Sequence, residues 1–549
     1  MKKRILAAAI IVACAASLAA AEAAPSMFDG QSWWARVKVL ADDNMEGRDT
    51  GSDGLRRAQA YAVKQFEQAG LEPAGANGFY QPVKFVMREI VEKDSSLALV
   101  RDGKEEPLVL GEDAYFSTRV RLAPRVHAPL VFVGYGLQVP ENHYDDYAGL
   151  DLKGKVVVIL AGSPVEIPGA LASHYQSGGV RWKALRAAGA IGIISIPNPS
   201  SMDIPWSRMT LSRTHPSMQL AGTEFQDADG EQLAVTFNPA QAEKLFAGSG
   251  HTFAELAALA KDRGALPRFP LKVGIQARAK ITEKSVESAN LVGVLRGTDP
   301  KLRDEFVVLS AHLDHLGVGE PINGDRIYNG AMDNGSGSAA LMDIAASFKS
   351  HPEKLRRSII FLSVTAEEKG LLGSRYFAAH PTIGAGAIVA DVNMDMFLPI
   401  VPLKLLKVLG LSESDLGDRV SRICEAYGVR AIPDPEPLRN SFTRSDQYSF
   451  IRHGIPALKM DVGFEMGTPE QKIFKDWLTN RYHAPSDDLQ QPVDLAAAGL
   501  YETIVRQLLI EIANADARPA WKADSFFRRF ATEQSAAAAS AGAYAFTSK

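Results

Sequence analysis

Acidic and histidine side chains follow three apolar, strand-like runs of this 549-residue chain. The runs and the polar residues after them are 306–310 with His312 and Asp314, 358–364 with Glu367 and Glu368, and 387–392 with Asp395. In an extended chain, residues two apart point the same way, so His312 and Asp314 are predicted to share a face while His315 points elsewhere. Because ligands of open α/β sheets bind at the carboxyl ends of the strands, the three clusters are predicted to meet there.

Two more polar clusters lie outside these runs. Asp333 lies in the string GAMDNGSG, where a loop leads into a predicted helix, and Tyr482 and His483 begin the string YHAPSD. Histidine and carboxylate donors without cysteine suit a hard or borderline divalent metal such as zinc. A carboxylate can bridge two such ions, and a water bound to them becomes a nucleophile near neutral pH. Glu367 and Glu368 would then supply one ligand and one unligated general base from adjacent positions.

Taken singly, each cluster also suits an ordinary structural role. An HxD pair is often a surface pair, adjacent acids suit the start of a helix, and an Asp-Asn-Gly-Ser string suits a turn or a helix cap. Tyr482 suits simple packing against its neighbours equally well. The prediction of a site therefore depends on the five clusters occurring together.

The cysteine count and the charge balance restrict the chemistry further. Cys14 and Cys424 are the only cysteines, so a cysteine zinc site is excluded, as is an internal disulfide once the N-terminus is removed. Sixty Lys and Arg residues against 64 Asp and Glu residues give a net charge of -4, without the basic excess that phosphate binding requires. We therefore predict no nucleic-acid partner.

The N-terminus has the pattern of a secretory signal. Lys2, Lys3 and Arg4 precede an apolar run over 5–21, and small residues suit cleavage after Ala23, so export to the periplasm or beyond is predicted. The alternative is a lipoprotein anchored at Cys14, although the chain after Cys14 stays apolar where a lipoprotein usually turns polar. No later apolar run approaches the roughly 20 residues that span a bilayer, so no integral membrane domain is predicted.

The remaining sequence predicts two structural units. Strand-like and helix-like segments alternate over 290–513, which predicts an α/β domain with a mixed, mostly parallel sheet and helices on both faces. Short apolar strands surround one helical segment within 129–268, which predicts a smaller β-rich domain. The predicted division is a signal peptide 1–23, an N-terminal part of the main domain 24–128, an inserted domain 129–268, the main domain 269–515 and a C-terminal tail 516–549.

Together, the five clusters resemble those of the di-zinc aminopeptidase family, whose relatives include glutamate carboxypeptidases, glutaminyl cyclases and the transferrin receptor ectodomain. The strings GKVVVILA and KALRAAGAIGII resemble the protease-associated domain that is inserted in several peptidase families. The family resemblance implies a zinc exopeptidase-like fold and two zinc ions per chain. It implies that His312 and Asp395 hold one zinc, that Glu368 and His483 hold the other, that Asp333 bridges them and that Glu367 is the acid/base.

The same resemblance gives expectations for residues around the ions. Asp314 is expected to hydrogen-bond the free nitrogen of His312, and Tyr482 to donate its hydroxyl to the developing oxyanion. Asp446 is a pocket candidate, although the family motif often has His where Gln447 stands. Apart from the resemblance, Arg439 and Arg444 suit ordinary surface positions, and the alternative is that a guanidinium near Asp446 binds a substrate carboxylate.

These assignments imply an exported di-zinc metallo-exopeptidase. The expected activity is that of an aminopeptidase acting on peptides with a free N-terminus, through a hydroxide that bridges the ions and with Glu367 as general base. The alternatives are a dipeptidase or carboxypeptidase of the same family, a one-zinc glutaminyl cyclase, and a receptor-like binding protein that has lost catalysis. A receptor-like protein is expected to lack some of the metal ligands, whereas this sequence has all six of the metal-ligand and general-base residues. The inserted domain is expected to cap the cleft or to bind peptides itself.

Overall fold

The computed structural model of the protein describes residues 24–384 and 386–531. The predicted signal segment 1–23, with Cys14, and the end of the predicted tail from residue 532 lie outside these residues. Within them, the strands are β1 Glu72–Pro73, β2 Tyr80–Ile90, β3 Ser96–Arg101, β4 Lys104–Leu108, β5 Ala114–Phe116, β6 Arg125–Phe132, β7 Gln138–Val139, β8 Tyr144–Asp145, β9 Val156–Leu160, β10 Gly192–Ile196, β11 Ser217–Leu220, β12 Leu233–Phe237, β13 Phe269–Arg278, β14 Ile281–Leu295, β15 Phe306–His312, β16 Gly317–Ile322, β17 Asp325–Tyr328, β18 Ser358–Val364, β19 Ile388–Asn393, β20 Leu405–Leu409, β21 Arg430–Ile432 and β22 Ala457–Val462. The helices are α1 Gln31–Leu40, α2 Asp53–Ala69, α3 Gly169–Gln176, α4 Gly178–Ala187, α5 Trp206–Met209, α6 Glu243–Phe246, α7 Phe253–Lys261, α8 Gly337–Ser350, α9 Leu372–Ala379, α10 Asp415–Ala426, α11 Gln447–Arg452, α12 Pro469–Asn480 and α13 Leu495–Asn514.

The larger sheet has the strand order β11-β2-β14-β18-β15-β19-β22-β20-β21, with β1 also paired to β14. Its centre, β18-β15-β19-β22, is parallel, whereas β14, β2 and β11 on one side and β20 on the other pair antiparallel. Every residue of β15, β18 and β19 is buried, which explains their continuous apolar runs. The predicted mixed α/β fold is confirmed, with the parallel pairings at the centre of the sheet.

Helices cover both faces of this central sheet. Val307 and Leu309 of β15 pack into one core with helices α1, α2, α8, α10 and α13, whereas Val308 packs into a second core with α9 and α11. Alternate side chains of one strand therefore enter opposite cores, as the period of two in a strand requires. The strand is held from both sides, so the residues at its end are rigidly placed.

The smaller sheet has the order β4-β3-β13-β6-β9-β10-β12-β5 and is built within residues 96–278. It starts before and ends after the predicted inserted domain 129–268, because β3, β4, β5 and β13 also join it. One strand from within the predicted insertion, β11, instead pairs with β2 at the edge of the larger sheet. The alternation of apolar residues identifies a strand but not the sheet it joins. The prediction therefore places β3, β4, β5 and β13 in the main domain by their position in the chain, whereas their pairing places them in the smaller sheet.

The chain after α13 is packed as far as the structure describes it. Phe527 is 1% exposed in the core beside α9 and α11, and Trp521 pairs with Ser414 through an isolated β-bridge. The first part of the predicted tail 516–549 therefore lies against the larger sheet. Within the described residues, every helix is too short or too polar to span a bilayer.

Candidate metal centre

The candidate site lies where three neighbouring parallel strands end. β15 pairs with β18 on one side and with β19 on the other, with His312 opposite Val364 and Ser310 opposite Asn393. The carboxyl ends of these strands therefore meet at one edge of the sheet. The structure places the polar residues predicted after each strand together at this edge, namely His312, Glu367, Glu368 and Asp395.

Asp333 lies between the two histidines named in the sequence analysis. Its Oδ1 is 3.5 Å from His312 Nε2, and its Oδ2 is 3.2 Å from His483 Nε2. One oxygen therefore faces each histidine, which is the arrangement of a carboxylate that can serve two ions. Asp333 is 4% exposed in the irregular turn Ala331–Ser336, immediately before α8.

Each half of Asp333 belongs to a set of three donor atoms. The first set adds Asp395, whose Oδ1 is 3.2 Å from His312 Nε2. The second adds Glu368, whose Oε2 is 3.3 Å from His483 Nε2. Atoms bound to one tetrahedral zinc at roughly 2.0–2.1 Å lie roughly 3.3 Å from each other, so the histidine–carboxylate distances in both sets fit zinc, as do the donor types.

The charge of the cluster also suits cations. Four carboxylates, Asp333, Glu367, Glu368 and Asp395, converge on two histidines in a buried environment. Burial opposes protonation of His483, but Glu368 and Asp333 together raise the pKa of this histidine to about 10. Unpaired acids are costly to bury, so such a cluster is stable when cations compensate it.

Asp395 is oriented by groups on its far side. Its Oδ2 accepts hydrogen bonds from Ser445 Oγ at 2.6 Å and from Lys459 Nζ at 3.3 Å. Burial of Asp395 opposes its ionisation, but Lys459 and His312 hold the pKa of this carboxyl well below its usual range. The carboxylate is therefore ionised, with Oδ1 left free to face His312.

Glu367 belongs to neither donor set. Its Oε2 is 4.0 Å from His312 Nε2, and its side chain is 9% exposed. Burial, together with the nearby Asp395 and Glu368, raises the pKa of Glu367 well above its usual value, despite the opposing effect of His312. A buried carboxyl with a raised pKa beside the donor sets has the character of a proton-transfer group.

Asp314 differs from its expectation in detail. The nitrogen Nδ1 of His312 faces the main-chain oxygen of Asp314 at 3.1 Å and not the carboxylate. The carboxylate instead accepts hydrogen bonds from Thr50 Oγ1 at 3.0 Å and from the main-chain nitrogen of Glu367 at 3.1 Å. Because β15 ends at His312, the chain turns and brings the carbonyl of Asp314, and not its side chain, to the histidine.

His315 is a site residue that the strand alternation placed wrongly. Its Nδ1 lies 2.7 Å from Glu368 Oε1, its side chain is fully buried, and His315, Asp333 and Glu368 can also be grouped as donors. The alternation rule applies only within an extended strand, and the chain has already left β15 at this point. The available signal was a second histidine just past a strand end.

Tyr482 and Arg444 form a pair beside the second donor set. Arg444 Nη2 donates a hydrogen bond to the Tyr482 hydroxyl oxygen at 3.1 Å, and the Tyr482 ring lies 3.9 Å from the His483 ring, centre to centre. Burial raises the pKa of Tyr482 well above its usual value although Arg444 opposes this, so the phenol keeps its proton. Asp446 is fully buried, and burial raises its pKa to about 7.

A cleft of about 720 Å³ opens onto this cluster. On the side of the larger sheet, the cleft is lined by Glu367, Glu368, Tyr482 and His483. On the side of the smaller sheet, it is lined by Arg119, which lies between β5 and β6. A molecule in the cleft would therefore touch both parts of the protein and the donor sets at once.

Comparison with known proteins identifies the segment that holds the cluster. Residues 290–509 match the model of Peptidase family M28. Aminopeptidase YwaD of Bacillus subtilis (strain 168) is 28% identical over 231 residues, which are 40% of this chain and 46% of that protein. Leucine aminopeptidase 2 of Trichophyton equinum is 31% identical over 193 residues, which are 34% of this chain and 36% of that protein. The chain thus spans less than half the length of these two relatives.

Two wider similarities cover more of the chain. Carboxypeptidase Q of Xenopus laevis is 22% identical over 368 residues, which are 66% of this chain and 65% of that protein. The solved structure of an aminopeptidase from Aneurinibacillus sp. strain AM-1 superposes with a TM-score of 0.50 at 18% identity, over 90% of this chain and 95% of that one. The second similarity shows a shared fold.

Proposed function

We propose that this chain, whose segment 290–509 matches the model of Peptidase family M28, is a metallo-aminopeptidase that removes single residues from the free N-terminus of peptides. The observation that carries the proposal is Asp333, whose two oxygens face two different histidines at 3.5 and 3.2 Å, each joined by a further acid. This is the donor arrangement for a pair of ions that share one carboxylate.

Two zinc ions are the proposed cofactors. His312 and Asp395 would hold one and Glu368 and His483 the other, with Asp333 shared between them. When bound, the ions would polarise the carbonyl of the first peptide bond and make a water molecule acidic. The free amino group of the substrate would bind near the donor sets, which restricts removal to one residue.

The chain's own groups would move the proton and hold the developing charge. Glu367 would take a proton from the attacking water at Oε2 and return it to the departing amine. Tyr482 would donate its hydroxyl proton in a hydrogen bond to the developing oxyanion, while Arg444 holds its oxygen. Asp314 would position Glu367 through the hydrogen bond to its main-chain nitrogen.

We further propose that the protein is exported and that the smaller sheet restricts access to the cleft. Export rests on the signal pattern in segment 1–23, with anchoring at Cys14 as its alternative. The smaller sheet is proposed to be a protease-associated domain that limits the size of the substrate, because Arg119 lies in the same cleft as Glu367.

The decisive experiment combines metal content with substrate choice. We expect two zinc ions per chain, hydrolysis of leucyl p-nitroanilide, no hydrolysis of its N-acetylated form, and loss of activity with a chelator that returns on adding zinc. One zinc per chain would favour a glutaminyl cyclase. Full metal content without hydrolysis of any peptide would favour a receptor-like binding protein.

A dipeptidase or carboxypeptidase is the second candidate. It is favoured by the arginines that line the cleft, Arg119, Arg375, Arg444 and Arg452, because guanidinium groups bind a substrate carboxylate. The similarity to carboxypeptidase Q agrees with it. Cleavage of an N-acetylated dipeptide in preference to the free-amino form would support this candidate and contradict the aminopeptidase.

A further inference from the structure

A hydrogen-bonded series of three side chains, Asp203, Arg444 and Tyr482, connects the smaller sheet to the candidate site. Asp203 Oδ2 lies 3.3 Å from Arg444 Nη1, and Arg444 Nη2 donates to the Tyr482 hydroxyl at 3.1 Å. Asp203 Oδ1 also accepts a hydrogen bond from Arg439 Nε at 2.6 Å. Each side chain of this series is therefore within hydrogen-bond distance of the next.

Asp203 belongs to a different part of the protein from its partners. It follows β10 of the smaller sheet, whereas Arg439 and Arg444 follow β21 of the larger sheet. The Asp203 side chain is only 11% exposed. Burial opposes its ionisation, but Arg439 and Arg444 lower the pKa of Asp203, so it is a carboxylate at neutral pH.

Arg444 needs such a partner to hold its position. Its side chain is 46% exposed, and a long, exposed arginine has many rotamers of similar energy. The guanidinium is a rigid plane, so fixing Nη1 on Asp203 also fixes the direction of Nη2 toward Tyr482. The further bond from Nη1 to the main-chain oxygen of Arg439, at 3.3 Å, agrees with this orientation.

We propose that Asp203 is a positioning residue for the peptidase reaction, acting through Arg444 on the hydroxyl of Tyr482. The proposal rests on the proposed function and deepens it. A hydrogen bond from a cation to the phenol oxygen makes the phenol a better donor and fixes its direction. The smaller sheet then completes the active site, in addition to any effect on substrate size.

A double-mutant cycle tests this pathway. Asp203→Asn keeps the shape of the side chain but removes its charge, and we expect kcat on leucyl p-nitroanilide to fall on the order of tenfold with little change in KM. In the Tyr482→Phe background the same change should alter kcat by less than about twofold, because the group on which Asp203 acts is already absent. Asp203→Glu, which restores the carboxylate, should recover part of the loss.

The control is Asp227→Asn, which removes a second ion pair that crosses between the two parts of the protein. Asp227 lies 2.8 Å from Arg375 and 3.8 Å from Arg452, whereas the ion-pair partner of Arg444 is Asp203. Its effect should be the same with and without Tyr482→Phe, as expected for a structural contact. Full additivity of Asp203→Asn with Tyr482→Phe, or equal losses for Asp203→Glu and Asp203→Asn, would overturn the inference. A wild-type protein that does not hydrolyse the substrate would instead contradict the proposed function.

Discussion

Adjacent acids at the site have different surroundings and therefore different chemistry. Glu368 Oε2 lies 3.3 Å from His483, and His315 lies 2.7 Å from its other oxygen, whereas Glu367 is 4.0 Å from its nearest histidine. Burial opposes ionisation of Glu368, but His483 and His315 hold its pKa well below the usual value. Glu368 is thus an ionised donor, and Glu367 is the group able to carry a proton.

Replacement of Glu367 by Gln tests this division. We expect Glu367→Gln to lower kcat by about a thousandfold, because the amide cannot accept the proton, while the metal content stays that of the wild type. Activity and bound zinc would be measured on the same sample. Glu320→Gln, at an exposed acid of β16, is the matched control and should leave both unchanged. Retention of near wild-type turnover by Glu367→Gln would refute the role.

His315 is expected to support the second ion indirectly. Its Nδ1 at 2.7 Å from Glu368 Oε1 holds that carboxylate so that Oε2 faces His483. Because partners of metal ligands fix their orientation, His315→Ala should weaken the binding of one of two zinc ions about tenfold to a hundredfold and leave the other unchanged. Titration calorimetry on the apoprotein measures both. His351→Ala, at an exposed histidine, is the control, and identical isotherms for the two variants would contradict the assignment.

The residues that the sequence could predict are those fixed by element ends. His312, Glu367, Glu368 and Asp395 follow apolar strands whose parallel arrangement the alternating pattern predicts, so their meeting was predictable. The contact of His315 with Glu368 was not predictable, because it depends on how the chain turns after β15. The backbone conformation beyond the end of a strand is set by packing, so it cannot be predicted from residue spacing.

At the scale of elements, the turn Ala331–Ser336 is held by one buried acid. The carboxylate of Asp487 accepts hydrogen bonds from the main-chain nitrogens of Met332 and Asp333, at 3.0 and 2.9 Å, and from Gln491 Nε2 at 2.8 Å. Asp487 is fully buried, so water cannot take its place as the acceptor of these hydrogen bonds. The position of Asp333 therefore depends on the segment that carries His483.

Asp487→Asn should weaken both the fold and the centre. An asparagine puts an N–H group where one of these carboxylate oxygens accepts, which leaves buried main-chain donors unsatisfied, so the free energy of unfolding should fall by about 2–4 kcal/mol. Zinc affinity should fall with it, because Asp333 loses its support. Denaturant unfolding and zinc titration measure the two effects. Asp488→Asn, the neighbouring and partly exposed acid, should change stability by less than about 0.5 kcal/mol; an equal effect of the two variants would contradict the explanation.

At the scale of the whole molecule, the two sheets are joined by contacts that have no periodic pattern. His174 of α3 lies among Tyr448 of α11 and the aromatic residues Phe526, Phe527 and Phe530. Scattered aromatics past α13 give no helix or strand signal, so the sequence predicted only a tail there. Which strands join which sheet, and which residues connect the sheets, are set by tertiary packing alone.

The His174 contact makes this junction sensitive to acid. His174 is 7% exposed, and its Nδ1 lies 2.7 Å from the Tyr448 hydroxyl. Burial lowers the pKa of His174 to about 4 from an ordinary value of 6.5, and Arg452 and Arg529 act in the same direction against Glu141. The folded protein therefore holds a neutral imidazole at pH values where the unfolded chain protonates it.

The sign of the pH effect follows from this difference. Above about pH 6.5 neither the folded nor the unfolded chain protonates His174, so its contribution to the free energy of unfolding is fully present. As the pH falls from 6.5 toward 4, the unfolded chain binds a proton that the folded protein does not. The free energy of unfolding then decreases by up to about 3 kcal/mol. His174→Gln keeps a polar group near Tyr448 but cannot titrate. We expect its free energy of unfolding to fall less than that of the wild type between about pH 7.5 and about pH 5, measured by denaturant unfolding. His127→Gln, at an exposed histidine of β6, should follow the wild type; if His174→Gln did so too, the junction would not be the acid-sensitive element.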